Sequence, residues 1–524
     1  VNREAFLQTI AGRREAWDIA VVGGGATGAG VAVDAASRGH RVVLLEQSDF
    51  GKGTSSRSTK LVHGGVRYLQ QGNIPLVMES LKERGRLLQN APHLVSNLEF
   101  VVPNYLWWEA PFYGVGLKMY DLLAGRHGFG PSKILSRNEV LKHIPMLEQD
   151  GLRGGVVYHD GQFDDSRLLI NLLQTAAEHG ASVLNYARVT GLIKDAKGSV
   201  KGLTFRDEES GREHTTAARC VINATGPFCD QLRRLDDEAA VPMIAPSQGV
   251  HIVLPRKFLP GDSAIMVPHT RDGRVMFAVP WHGQVVVGTT DTPISAVTLE
   301  PRAQEDEVDF ILQTASQYLA RNPTRADILS VFAGIRPLVK ANSDSSTAAL
   351  SRDHTIQISN SGLLTIAGGK WTTYRKMAED AVNRAIELAS LPERPCITQD
   401  LPVHGFSDHS EKSGPLAYYG SDAELIAELI NEQPGLEAPL QESLPICGAQ
   451  IVWAARHEMA RTLDDVLARR TRALFLNARA ALAMAPAVAR LLAVTLGRDE
   501  NWQRCQIAAF NEIATGFLPN LQPL

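Results

Sequence analysis

The run Gly23-Gly24-Gly25-Ala26-Thr27-Gly28 restricts this chain more than any other feature. It follows Asp18-Ile19-Ala20-Val21-Val22, which reads as a buried strand. It precedes an Ala- and Val-rich stretch from about Ala26 to Arg38, which reads as a helix stopping near Gly39. A second strand over Arg41 to Glu46 completes a βαβ opening. In a GxGxxG turn the first glycine, here Gly23, permits the tight bend. Gly25 lets the backbone approach a pyrophosphate, and Gly28 lets helix and strand pack closely. The amides at the start of the helix, Ala26 and Thr27 among them, attract phosphate. Glu46 stands about 20 residues on, where an acid accepts ribose hydroxyls, and Gln47 adjoins it. A ligand-free βα turn is the competing reading, and it leaves the acid and the glycine spacing unexplained.

Two later segments decide between dinucleotides in favour of FAD. Val221-Ile222-Asn223-Ala224-Thr225-Gly226 is an apolar strand ending at a turn, of the kind with which two-dinucleotide-fold flavoproteins return to the cofactor. Gly362 to Lys370 is a strand running through Gly368 and Gly369 into a helix. Its amides can reach the flavin ring, and the helix N-terminus favours negative charge there. Either segment alone is an ordinary strand–turn–helix. Together with the fingerprint they predict FAD, with Thr225, Gly226, Gly368, Gly369 and Lys370 as contacts and Val189 on the Ser182–Leu192 strand. Ser55, Ser56 and Thr59, in the polar stretch Ser48–Lys60, either donate to the pyrophosphate and ribityl chain or serve as loop and cap residues.

Elsewhere the pattern predicts helices over Leu76–Leu88, Leu168–His179, Glu305–Ala320 and Tyr374–Ser390. Short strands at 251–254, 264–268, 275–279 and 285–288 predict an antiparallel meander. Past Leu401 the chain reads as helical, over Asp422–Asn431, Ile451–Asp464 and Ala478–Thr495. The expected class is α/β plus α: a Rossmann-like FAD-binding domain from 1–95, 155–245 and 336–400, an antiparallel-sheet substrate domain from 96–154 and 246–335, and a helical C-terminal domain over 401–524. Lys+Arg of 53 against Asp+Glu of 57 gives a net charge of −4 and argues against a nucleic-acid partner. Five cysteines without a CxxC pair predict neither a disulfide framework nor a metal centre. Val1–Trp17 lacks the apolar core of a secretory signal. The most apolar stretch, Ala480–Leu496, is interrupted by Pro486 and Arg490, so any membrane contact is expected to be peripheral.

The long block Gly53-Thr54-Ser55-Ser56-Arg57-Ser58-Thr59-Lys60-Leu61-Val62-His63-Gly64-Gly65-Val66-Arg67-Tyr68-Leu69 resembles the signature of the FAD-dependent, quinone-linked glycerol-3-phosphate dehydrogenase family. Ala333–Leu338, Gly368–Arg375, Gly288–Thr292, Leu350–His354 and Arg461–Thr471 are similar to further blocks of it, so the likeness runs from about Arg13 to about Leu496. No EF-hand loop pattern, a feature of the mitochondrial members, occurs. The resemblance implies a glutathione-reductase-like or D-amino-acid-oxidase-like FAD domain, oxidation of sn-glycerol 3-phosphate to dihydroxyacetone phosphate, and electron transfer to a membrane quinone. It also implies a peripheral place on the lipid surface at the inner, cytoplasmic face of the cytoplasmic membrane. A homodimer is a further expectation.

A phosphorylated alcohol needs cations, and guanidinium forks suit phosphate. By resemblance Arg67, Arg336 and Lys370 surround the substrate, with Arg352 beside them and Thr372 as a polar contact; ordinary ion pairs are the competing reading. Oxidation requires a proton acceptor, and His251 is the first choice. His63 is its rival, although His63-Gly64-Gly65 better suits contact with FAD. Arg336 is expected to stabilise alkoxide charge. The aromatic stretch Phe100–Tyr120 reads either as a lipid- or quinone-facing surface or as core, and Arg469-Arg470-Thr471-Arg472 either as a lipid contact or as a solvated helix face. The alternatives to the dehydrogenase are an oxygen-using glycerol-3-phosphate oxidase, a flavoenzyme for an amine or 2-hydroxy acid, and a non-catalytic FAD-binding redox sensor.

Overall fold

Two sheets organise the chain. The computed structural model describes residues 1–70, 72–268, 270, 273–340, 353–407 and 414–520, without the side chains of Arg67 and Gln70. In the first sheet, Trp17–Val22 lies between the parallel strands Glu213–Asn223 and Val42–Leu45, with Ser182–Leu184 beyond on one side. Leu364–Gly368 and His354–Ile358 extend the other side. Every residue of Trp17–Val22 is buried. A parallel central strand is covered on both faces, which is why its sequence is continuously apolar and not alternating. Helix Ala26–Ser37 packs between helices Asp165–Glu178 and Tyr374–Ala389. A Cβ at Gly30 would lie 2.9 Å from Tyr374 Cδ2, so the absent side chain permits that packing.

The second sheet carries the predicted meander, with longer strands. Ile244–Pro255 pairs antiparallel with Gln284–Gly288 and Ser330–Val339, and Met276–Trp281 and Ala264–Val267 follow. Ala264–Val267 then pairs in parallel with Val95–Asn104, so the sheet is mixed, and Val95–Asn104 pairs with Gly154–Phe163. Gly154–Phe163 and the end of Ser330–Val339 therefore belong to this sheet, across the boundaries at 155 and 336 expected from sequence. Long-range pairing decides such membership, and local pattern is blind to it.

Among the described residues the C-terminal part contains helices Asp422–Glu432, Gly448–His457, Ala478–Leu496 and Glu500–Thr515 and a small hairpin. The helix expected over 451–464 ends at His457, and Asp465–Arg470 forms a short π-helical turn. Helix Ala478–Leu496 is long and apolar enough to cross a membrane, but one face is buried in the C-terminal core against Phe475 and Phe510. Arg469, Arg470 and Arg472 are buried, not solvated.

Candidate functional site

A cavity of about 420 Å³ opens at the C-terminal ends of the parallel strands, where open α/β sheets place their ligands. Gly23, Gly25, Ala26, Thr27, Glu46, Gln47, Val189, Thr225 and Gly226 line one part of it. Gly368, Gly369, Lys370, Thr372, His63 and His251 also line it, joined by Ser55 and Thr59. Gly28 does not; its missing Cβ would strike the Gly23 carbonyl, which matches the packing role read from sequence. A Cβ at Gly23, whose φ is +111°, would lie 2.6 Å from the Ala224 carbonyl oxygen. Ser55 Oγ accepts from the Ala26 amide at 2.9 Å and so caps the helix start. Glu46 accepts from the amides of Gly24 at 2.7 Å and Ser48 at 3.0 Å. Burial raises its carboxyl above the ordinary range although these amides oppose the shift.

Three expected contacts lie elsewhere. Ser56 is buried away from the cavity, and its carbonyl accepts from Lys60 Nζ and Arg472. Gly64 donates to Asp160 at 3.3 Å, and Gly65 lines a second, smaller chamber. A fingerprint-style reading assigns neighbours in sequence alike, whereas a 3₁₀ turn over Thr54–Ser56 points successive residues in different directions.

The smaller chamber, about 160 Å³, adjoins the cavity and shares Thr59, Leu61, His63, Phe277 and Arg336 with it. Arg274, Tyr68, Asp160, Thr289, Thr290 and Asp291 are among its other polar lining residues. The Arg336 guanidinium donates to Asp291 at 3.1 Å, Thr289 Oγ1 at 3.1 Å and the Thr290 carbonyl at 2.9 Å, which fixes it at the junction. Asp160 is matched by Arg84 at 2.7 Å and by the Tyr120 hydroxyl at 2.7 Å. Both carboxylates of the chamber thus have cationic partners. Lys370 Nζ lies over the ring of Tyr68, 4.9 Å from its centre. Thr372 Oγ1 is engaged with the backbone of His63. Arg67 belongs to helix Val66–Gln70 beside the chamber-lining Val66 and Tyr68, but its side chain, like all of Arg352, falls outside the described residues.

Residues 18–375 match the FAD dependent oxidoreductase family, and residues 364–503 match the C-terminal domain of alpha-glycerophosphate oxidase. The mitochondrial glycerol-3-phosphate dehydrogenase of Rattus norvegicus is 42% identical over 551 residues, spanning 99% of this chain and 75% of the relative. That of Arabidopsis thaliana is 42% identical, over 95% and 86%. The glycerol-3-phosphate dehydrogenase of Bacillus halodurans, solved with FAD, superposes with a TM-score of 0.81 at 29% identity, covering 100% of this chain and 99% of its own. The chain belongs to the FAD-dependent glycerol-3-phosphate dehydrogenase family.

FAD, the cofactor of this family, fits the residues present. The cavity is walled by glycines whose side chains would fill it or press on its rim. His251 lines it with a buried Nδ1 that has no hydrogen-bond partner among the described residues. His251 stacks on Phe332, with ring centres 4.9 Å apart at 13°, and its Nε2 lies 2.9 Å from Thr59 Oγ1. Burial, then Lys60 and Arg336, hold the imidazole well below its ordinary range, so it is neutral. Lys60 itself is brought down to about 7 by burial and by Arg472, against the pull of Asp165.

Sequence reading missed Arg274, Asp291, Tyr68 and the buried Lys60–Asp165 pair. For Asp291 and Tyr68 a signal was available, since both sit inside family-like blocks. Arg274 is an isolated cation in the meander and carries no local signal.

Proposed function

We propose that the chain oxidises sn-glycerol 3-phosphate to dihydroxyacetone phosphate and passes the electrons through FAD to a membrane quinone. The observation that carries this reading is the small chamber: it opens onto the flavin cavity and sets Arg274 and Arg336 over a space suited to a small dianion. The names of the relatives point to the same substrate. In this reading Arg274, Arg336 and Lys370 hold phosphate and alkoxide charge, with Arg67 and Arg352 as further proposed contacts. His251, neutral and buried, receives the hydroxyl proton. Bound FAD supplies the hydride acceptor. His63 supports the cofactor through its ordered backbone.

The lipid and quinone part of the reading rests on helix Glu109–Ala124. Trp107 (77% exposed), Val115 (70%) and Leu122 (80%) project with Leu106, Phe112 and Met119 along one side of this segment. Lys118, exposed at 62%, Arg126 and Lys133 are also exposed nearby, whereas Glu109 is spent capping Tyr105 and Leu106, and Asp121 binds Ser132. An apolar face rimmed by cations suits an anionic lipid surface.

Anaerobic addition of glycerol 3-phosphate to the FAD-loaded protein should bleach the flavin, with glycerol and a 2-hydroxy acid inert. A soluble quinone should restore the colour faster than air does. A flavin that bleaches with the hydroxy acid and not with the phosphate would defeat the substrate assignment; faster recovery in air would favour an oxidase.

A further inference from the structure

His251 lines the flavin cavity but not the small chamber, whereas Thr59 lines both. Thr59 thus borders both spaces, and its hydroxyl lies 2.9 Å from His251 Nε2. Its placement is fixed from both sides. The Ser58 amide and hydroxyl donate to Asp165 at 3.1 and 2.6 Å, and Lys60 Nζ donates to the same carboxylate at 2.7 Å. The two neighbours of Thr59 are thus anchored to one buried acid, itself held by Arg472 at 3.1 Å. Stacking on Phe332 fixes the imidazole. Such pre-set geometry is what a proton-transfer path requires.

We propose that Thr59 is a catalytic proton relay: its hydroxyl takes the proton of the substrate's C2 hydroxyl while passing its own proton to His251 Nε2. The inference rests on the glycerol 3-phosphate reading. The substrate O–H bond breaks and a new Oγ1–H bond forms; the former Oγ1–H bond breaks and an Nε2–H bond forms. The electron pair left on the alcohol oxygen becomes the second bond of the carbonyl, as the C2 hydrogen departs with its own pair to FAD. Threonine is regenerated, and the imidazole gains one proton. A dianion in the chamber offsets Lys60 and Arg336, so binding itself makes the neutral ring a better acceptor.

Thr59→Val removes the hydroxyl at nearly constant volume, and Thr59→Ser keeps it. Both are compared with the parent as FAD-loaded full-length chains. Calorimetry measures dihydroxyacetone phosphate binding, absorbance measures FAD content, and stopped-flow measures anaerobic flavin reduction in H2O and D2O. T59V should keep FAD and bind the ketone within about twofold, yet reduce about 100-fold more slowly. T59S should stay within about fivefold of the parent and keep its solvent isotope effect. Parental rates in T59V overturn the relay, as does T59S being as slow as T59V. Loss of FAD from T59V alone assigns Thr59 to holding the cofactor and also overturns it. A parent that glycerol 3-phosphate cannot reduce brings down the substrate reading and the relay with it; a normal parent beside an unaffected T59V brings down the relay alone.

Discussion

Two sets of arginines in this molecule stand in opposite surroundings. Arg274, just ahead of strand Met276–Trp281, and Arg336, on strand Ser330–Val339, border a chamber. Arg469, Arg470 and Arg472 are consecutive but for one residue, and all three are buried. Asp49 receives Arg469 at 2.5 Å and Arg470 at 2.8 Å; Arg469 also meets Asp464 and Asp465, each at 2.9 Å. Arg472 reaches Asp165 and the Ser56 carbonyl. The run thus grips the Ser48–Lys60 segment, which lines the cofactor cavity, from behind. It is neither a lipid contact nor a solvated face. Surroundings separate the two sets: the run is buried against carboxylates, whereas Arg274 and Arg336 border a cavity.

The strongest test of that contrast removes the shared acid. Asp49→Ala leaves Arg469 and Arg470 in the interior without their main counter-charge and should cost about 3–5 kcal/mol of stability, measured by urea unfolding. A change within the range of surface substitutions would mean that the run is solvated after all.

At the chamber the effect should fall on rate and not on fold. Arg336→Ala should keep FAD and its melting temperature but slow anaerobic bleaching by about 100-fold or more. Arg274→Ala should raise KM more than it lowers kcat, by a factor of about 30 in kcat/KM, as expected for a charge-assisted bond of about 2 kcal/mol. Parental reduction by the Arg336 variant would remove that residue from the chemistry.

A half-buried cluster of three groups sharpens the comparison at its weak end. His404 meets Glu178 at 2.5 Å and Asp422 at 3.0 Å, linking the cofactor half to the helical part. Burial works against its charge, yet the two carboxylates carry the imidazole up to about 9. Its folded value lies above the unfolded one of about 6.5. The stabilisation is therefore complete below pH 6.5 and disappears as pH rises through 9. Because Glu178 is largely exposed, about 1 kcal/mol is expected. His404→Asn should abolish that part of the loss of thermal stability between pH 6.5 and 9.

The cofactor frame was legible because it is written in contiguous residues. A strand, three spaced glycines and an acid act through backbone geometry, which depends on near neighbours alone. Ala26–Ser37, Asp165–Glu178 and Tyr374–Ala389 likewise declare themselves by period and composition. For the proposed substrate half the sequence offered Arg336 and Lys370, inside blocks resembling the family, and His251, outside them; Arg274 had no such flag.

From its own letters the chain determined the βαβ opening, the run of helices after Leu401 and the residue types that a phosphorylated alcohol needs. Tertiary structure alone decided which cations border a cavity and which are buried against acids. It also brought Thr59 to His251 across 192 positions and Arg470 to Asp49 across 421. Backbone propensity reaches a few residues, while desolvation and charge pairing depend on whatever the folded chain places within a few ångströms.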